Sequence, residues 1–228
     1  MRVNEIFYSI QGEGIHQGVP MRFVRLAGCN LSPKCRFCDT SYAQDPRYGK
    51  EASIEDILEQ VGCLSPYRQS WICVTGGEPL WQEEELEQLV RGLKRASCKI
   101  TIETNGSFKP PRWYTLVDSW NADIKCPSSG VCGVSNEVWF RTRQCDQVKF
   151  VVGNKEDLEF TRNMIRGHLA DSPTILVSPV FPQNYNEGGD GVCICNEWLQ
   201  EVAEFCKELR VRYSLQWHKV IYGNRRGI

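Results

Sequence analysis

Three cysteines stand close together in "GCNLSPKCRFCDTSYA", residues 28–43, at Cys29, Cys35 and Cys38. Thiolates are soft ligands, and three of them on one loop can hold three irons of a cubane cluster, leaving the fourth iron open to nitrogen and oxygen from another molecule. The same three also suit tetrahedral zinc, with Cys126, Cys132, Cys145 or a histidine as fourth ligand. Spacing alone, five residues and then two, leaves both readings open.

Other motifs carry polar chemistry at the ends of apolar segments. In "TGGEP", residues 75–79, the backbone of Gly76 and Gly77 admits close approach by an amino-acid head group, and Glu78 shapes the turn. In "ETNG", residues 103–106, and "DIKCPSS", residues 123–129, Asn105 and Lys125 can address ribose or carboxylate atoms. The early "QGEG" offers the Gln11 amide and backbone groups, with Arg25 able to pair with a carboxylate. Each motif taken singly reads equally well as a structural turn. Near the end, Gln216, His218 and Lys219 alternate with apolar residues in a strand-like pattern, which predicts either a polar cavity wall or a solvated edge strand.

His16 and His168 show no ligand spacing. Cys63, Cys73 and Cys98 sit in or beside apolar segments and read as small hydrophobes. The irregular spacing of Cys126, Cys132, Cys145, Cys193, Cys195 and Cys206 argues against a second metal site.

Taken together, the cysteine loop and the three strand-end motifs resemble the radical S-adenosylmethionine superfamily. Its usual cysteine spacing is three residues and then two. The two extra residues here, beside Pro33, fit a bulge that removes no ligand. The opening "EIFYSIQGEGIHQGVPMRFVRLAGCNL" and the ending "SLQWHKVIYGN" resemble the 7-carboxy-7-deazaguanine synthase family. That resemblance implies conversion of 6-carboxy-5,6,7,8-tetrahydropterin to 7-carboxy-7-deazaguanine with loss of ammonia, in queuosine or archaeosine biosynthesis. It implies a [4Fe-4S] cluster on Cys29, Cys35 and Cys38, and Mg2+ beside Thr40. S-adenosyl-L-methionine would meet Phe37, Cys38, Asp39, Gly76, Gly77, Glu78, Asn105, Lys125 and Ser178. The pterin would meet Ile10, Gln11, Gly12, Arg25, Thr75, Gln216, His218, Lys219 and the carboxylate of Ile228. A homodimer and an external electron donor such as flavodoxin or ferredoxin are further implications. Two rivals keep the cysteines but change the function: an activase of a glycyl-radical enzyme, and a zinc-stabilised interaction module.

The elements that must position these residues alternate between strand and helix. "MRFVRLAG", "SWICVTGGEP", "KITIETNG", "SWNADIK", "QVKFVV", "TILVSPV" and "VRYSLQ" read as strands. "SIEDILEQV" reads as a helix capped by Ser53, and "WQEEELEQLVRGLKRA" as a second with acids early and bases late. Further helices are predicted near 155–169 and 196–209. About six principal strands fall short of a closed eight-stranded barrel, which predicts an α/β partial or modified TIM-like barrel with a mainly parallel sheet, and the resemblance implies that this is the radical SAM fold. The segments "CPSSGVCGVSNEVW" and "FPQNYNEGGDGVCICN" read as lids or surface loops.

A chain of 228 residues, 41% hydrophobic, predicts one domain over 1–228, with both terminal segments contributing to the substrate site. With 27 basic against 28 acidic residues, no stable nucleic-acid or membrane partner is expected. No apolar run approaches the roughly 18 residues of a membrane helix. Twelve cysteines without a secretion signal point to metal chemistry in a reducing cytoplasm.

Overall fold

The computed structural model describes residues 1–63, 71–168, 173–181, 197–223 and 225–227, with the side chains of Cys63 and His168 left aside. Six parallel strands form its centre: β2 (Pro20–Leu26), β4 (Trp71–Gly76), β5 (Lys99–Thr104), β6 (Ser119–Lys125), β7 (Gln147–Val152) and β8 (Thr174–Pro179). These are the six principal strands that the sequence predicts. Three more extend the sheet at its edges. β1 (Arg2–Ile10) pairs antiparallel with β2, and the two-residue β3 (Lys50–Glu51) pairs antiparallel with β1. "VRYSLQ" contributes only β9 (Arg212–Tyr213), parallel to β8. The order is β3-β1-β2-β4-β5-β6-β7-β8-β9, an open sheet whose two ends do not pair.

Helices α1 (Ile54–Cys63), α2 (Glu83–Arg95), α3 (Lys155–His168) and α4 (Glu197–Leu209) fall close to their predicted spans. Ser53 caps α1: its Oγ accepts from the Asp56 N–H at 3.1 Å, while its own N–H donates to the Asp56 carboxylate at 3.3 Å. α2 begins two residues later than its sequence pattern, because Pro79–Gln82 form a 3-10 turn that ends the glycine motif.

The strand period of two sorts the sheet into two faces. On one, Val24, Ile72, Val74, Ile100, Ile102, Trp120, Ala122, Val148 and Phe150 join Ile57 of α1, Leu86 and Leu89 of α2, Ile165 of α3 and Val202 of α4 in a single apolar core. The alternate residues therefore turn to the other face, where Met21, Phe23 and Cys73 form a small apolar cluster at one end and the residues nearer the strand ends are polar: Arg25 on β2, Thr75 on β4, Glu103 on β5, Asp123 on β6 and Lys149 on β7. Register brings neighbours level, Arg25 beside Thr75 and Asp123 beside Lys149. A parallel strand with helices on its apolar side has no need of a charged residue on the other, so this row marks the working face.

One expectation is corrected here. Gln216, His218 and Lys219 are not on a strand. Gln216 is the N-cap residue of a short helix, α5 (Trp217–Tyr222), which begins where the Trp217 N–H donates to the Gly12 carbonyl at 3.0 Å. The segment after β6 is no free lid either, since Trp139 is fully buried and the Asn136 N–H donates to the Gly106 carbonyl at 2.7 Å. Residues 182–196 of the other long connection, with Cys193 and Cys195, lie outside the described residues.

Candidate active site

The polar face opens into a cavity of about 440 Å³. One wall is the cysteine loop that follows β2. Backbone hydrogen bonds shape it: the Gly28 and Cys29 N–H groups donate to the Ala43 and Gln44 carbonyls at 2.8 and 2.9 Å, and the Arg36 N–H to the Ser129 carbonyl at 3.0 Å. The glycine motif at the end of β4 lies directly against this loop, with the Glu78 N–H donating to the Gly28 carbonyl at 2.8 Å. Cys29, Cys35 and Cys38 all line the cavity, as do Phe37, Asp39 and Thr40. Burial first, then the neighbouring charges of Asp123, Cys38 and Cys29, push the Cys35 thiol up against the opposing pull of Lys125, so the three thiols feel one another across the loop.

The facing wall is built from both ends of the chain. The "QGEG" loop after β1 docks on residues 214–218: the Gly14 N–H donates to Ser214 Oγ at 3.1 Å, and Gln17 Nε2 to the Leu215 carbonyl at 3.2 Å. Gly12 leaves room for the His218 ring, since a Cβ there would sit 2.2 Å from His218 Nδ1 and the imidazole would have to move. Gln11 spends its amide on both sides, Nε2 donating to Glu103 at 3.0 Å and Oε1 accepting from the Glu13 N–H at 3.1 Å. Thr75 Oγ1 donates to the other Glu103 oxygen at 2.7 Å. Arg25 donates from Nε to Glu5 at 2.7 Å and lies over Phe7 and Tyr42, while Arg226 from the chain end stacks on Tyr42 at 3.6 Å.

Between the walls runs a line of charges. Lys125 Nζ meets Asp123 at 2.6 Å, Lys149 meets Asp123 at 3.3 Å and Glu13 at 2.6 Å, and Gln216 Nε2 donates to Glu13 at 2.7 Å. Burial works to neutralise each group and is outweighed by its partners. Lys149 and Lys125 are therefore held above the ordinary lysine value, by Asp123 with Glu13 and by Asp123 with Cys35 respectively. Asp123 is held below its ordinary value by Lys125 and Lys149, and Glu13 by Lys149 with His218 and the Gln216 amide.

A family model described as the radical SAM superfamily matches residues 24–124, the stretch from within β2 through the cysteine loop to Ile124 on β6. The 7-carboxy-7-deazaguanine synthase of Methanospirillum hungatei is 34% identical over 97% of this chain and 85% of its own length. That of Pyrobaculum aerophilum is also 34% identical, over 100% and 97%. The chain belongs to the 7-carboxy-7-deazaguanine synthase family. Its fold is that of the crystal structure of QueE from Escherichia coli, with a TM-score of 0.69 and 22% identity across 94% of this chain and 93% of that one. The family consists of radical SAM enzymes that work with a [4Fe-4S] cluster, S-adenosyl-L-methionine and Mg2+, and it contracts a pterin ring with loss of ammonia. This membership sets aside the activase and the zinc module.

The donor set agrees. Zinc bound to thiolates at about 2.3 Å would draw the sulfurs to within about 3.8 Å of one another. Among the described residues, the group of three ligand atoms that all lie within 4.8 Å of each other is Glu13, Asp39 and His218, not the cysteines. Three splayed thiols with no other described cysteine on the cavity fit a cubane rather than a single ion. Cys73, Cys98, Cys126 and Cys206 are buried as small hydrophobes, while Cys132 and Cys145 are exposed. Thr40 and Asp39, side by side on the cavity, are hard oxygen donors of the kind Mg2+ takes.

Ile10, Gln11, Gly12, Arg25, Thr75, Gly76, Gly77, Asn105, Lys125, Gln216, His218 and Lys219 reach the cavity. Two expected contacts do not. The Glu78 carboxylate is fully buried behind the turn, where burial raises its pKa to about 7 against donors from the Asn105 and Leu80 backbone and Thr104. Ser178 is buried on β8 away from the lining. Ile228 lies outside the described residues. Sequence reasoning missed Glu13, Glu103, Asp123 and Lys149. Three of them stand inside motifs already noted, and Lys149 is the one charged residue in the apolar strand "QVKFVV".

Proposed function

We propose that the chain carries out its family's reaction in this cavity, converting 6-carboxy-5,6,7,8-tetrahydropterin to 7-carboxy-7-deazaguanine and ammonia. The observation that carries the reading is convergence: three cysteines and the glycine turn wall one side, and the "QGEG" loop with α5 walls the other. When bound, the cluster and S-adenosyl-L-methionine supply hydrogen-abstracting radical chemistry, and Mg2+ supplies a Lewis acid for the carboxylate.

The residues then have distinct tasks. Cys29, Cys35 and Cys38 hold the cluster. Asn105 braces this wall, donating to Asn30 at 2.9 Å beside the Cys29 sulfur. Gly76, Gly77, Phe37, Asp39 and Lys125 receive the adenosylmethionine, and Thr40 meets Mg2+. Gln11, Gly12, Arg25, Thr75, Gln216, His218 and Lys219 enclose the pterin. Glu103 adds an acceptor for its N–H edge, already oriented by Gln11 and Thr75. Glu78 acts indirectly, by tying the glycine turn to Asn105. Confinement between rigid strand ends supplies alignment.

The reading also takes 1–228 as one catalytic domain in a cytoplasmic homodimer reduced by a flavodoxin or ferredoxin. Among the described residues no helix is long and apolar enough to cross a membrane. Exposed Trp217 and Ile221, one helical turn apart on α5, leave apolar surface for a second copy.

The test is direct. Anaerobically reconstituted protein, given reductant, S-adenosyl-L-methionine, Mg2+ and the tetrahydropterin, should form 7-carboxy-7-deazaguanine, identified by mass spectrometry. Formation of 5′-deoxyadenosine without the deazapurine would reject this substrate.

A further inference from the structure

Lys149 stands apart from the rest of its strand. Its side chain is 10% exposed, and carrying a charge into a parallel sheet is costly unless it is paired and hydrogen-bonded. Its two partners come from different parts of the site. Glu13, on the loop after β1, belongs to the pterin wall, where its second oxygen accepts from Gln216. Asp123, on β6, accepts from Lys125 on the cysteine side. Among the described residues, Lys149 is the side chain that pairs with both.

The four charges balance, two ammonium groups against two carboxylates. Without Lys149, Asp123 would keep Lys125, but Glu13 would keep only the Gln216 amide and the field of His218 to hold it. A carboxylate so placed takes a proton or turns towards solvent, and either change removes the acceptor that the "QGEG" loop presents.

We propose that Lys149 is a positioning residue for the reaction: bridged between Asp123 and Glu13, it holds the Glu13 carboxylate charged and aimed at the pterin. The inference rests on the pterin reading of the cavity given above. Lys149 itself acts through Glu13.

A double-mutant cycle separates this role from a general contribution to the fold. The probe is 6-carboxypterin, the oxidised and unreactive form of the substrate, and its fluorescence is titrated with holoenzyme containing S-adenosyl-L-methionine and Mg2+. The proteins are wild type, Lys149→Met, Glu13→Gln, the double variant and Lys149→Arg, with iron content and thermal melts recorded for each. We expect Lys149→Met and Glu13→Gln each to weaken binding about tenfold and the double variant to bind no worse than about twofold below either. We expect Lys149→Arg, which keeps the charge, to stay within about threefold of wild type, with iron content equal throughout. Multiplicative losses in the double variant would overturn the proposal, because Lys149 would then not be acting through Glu13. If Lys149→Met does not fold, Lys149→Gln replaces it in the cycle. Failure of both alongside a folded Lys149→Arg would assign the lysine to the fold and also overturn the proposal. Failure of wild type to bind the probe is a different result: it rejects the pterin reading, and the inference falls with it.

Discussion

Gly77→Ala probes the contact on which the whole site depends. A Cβ on Gly77 would lie 1.9 Å from the Gly28 carbonyl oxygen, 2.4 Å from its carbon and 2.9 Å from the Ala43 oxygen, whereas real Cβ contacts essentially never fall below 3.0 Å. All three obstacles are backbone, so no side chain can swing aside. The glycine turn and the cysteine loop must part by about 1 Å, which stretches the 2.8 Å bond from the Glu78 N–H to the Gly28 carbonyl beyond hydrogen-bonding range. One lost bond and its stranded buried groups should cost about 2–4 kcal/mol. Gly28 immediately precedes Cys29, so the shift reaches the cluster ligands. A displacement of about 1 Å can cost about a hundredfold in rate. The assay combines thermal melting, iron content after anaerobic reconstitution and the initial rate of 5′-deoxyadenosine formation. Gly62→Ala is the control: it lies within α1 with nothing within 4 Å of the added Cβ, and should be neutral or stabilising by up to about 1 kcal/mol. A Gly77→Ala protein with wild-type melting and wild-type rate would refute the close-approach argument.

Glu78→Gln should destabilise by about 1–3 kcal/mol in chemical denaturation, because its new amide must face the Asn105 or Leu80 N–H with no acceptor between; a neutral result would mean the buried carboxylate is dispensable. Thr40→Val, which swaps the hydroxyl for a methyl, should raise the Mg2+ concentration needed for half-maximal turnover several-fold while iron content stays constant. An unchanged Mg2+ titration removes Thr40 from the metal site. Glu13 is held below its ordinary value of 4.5, so the stability it contributes is present above that pH and is lost as the pH falls through its folded value. Urea denaturation should accordingly show wild type more stable than Glu13→Gln at pH 7, with the gap closing below about pH 4.5. A gap independent of pH would show that the ion pair with Lys149 contributes nothing.

The sequence by itself determined the chemistry and the frame. Three soft ligands on one loop are legible because ligand type is a property of residues, and six parallel strands are legible because apolar periodicity survives without coordinates. The strand-end motifs also announced themselves, since glycine and polar residues after an apolar run mark the end of the sheet where a site can be built. What the tertiary structure decided is how those residues are paired. Glu78 reads from "TGGEP" as a turn residue and from the family resemblance as a ligand contact, and its buried side chain proves to be held by backbone donors, Leu80 in its own turn and Asn105 in another motif. Gln216, His218 and Lys219 alternate like a strand, but α5 begins there because the Gly12 carbonyl, some two hundred residues away in sequence, accepts from its first N–H. Glu13, Asp123 and Lys149 carry no motif that joins them. Their alliance follows from strand register, which sets Asp123 level with Lys149, and from the docking of both chain ends over the sheet. Composition and spacing specify which groups are present, whereas distance in a folded chain specifies which charges can neutralise one another, and only the latter makes a line of buried ions an active-site wall.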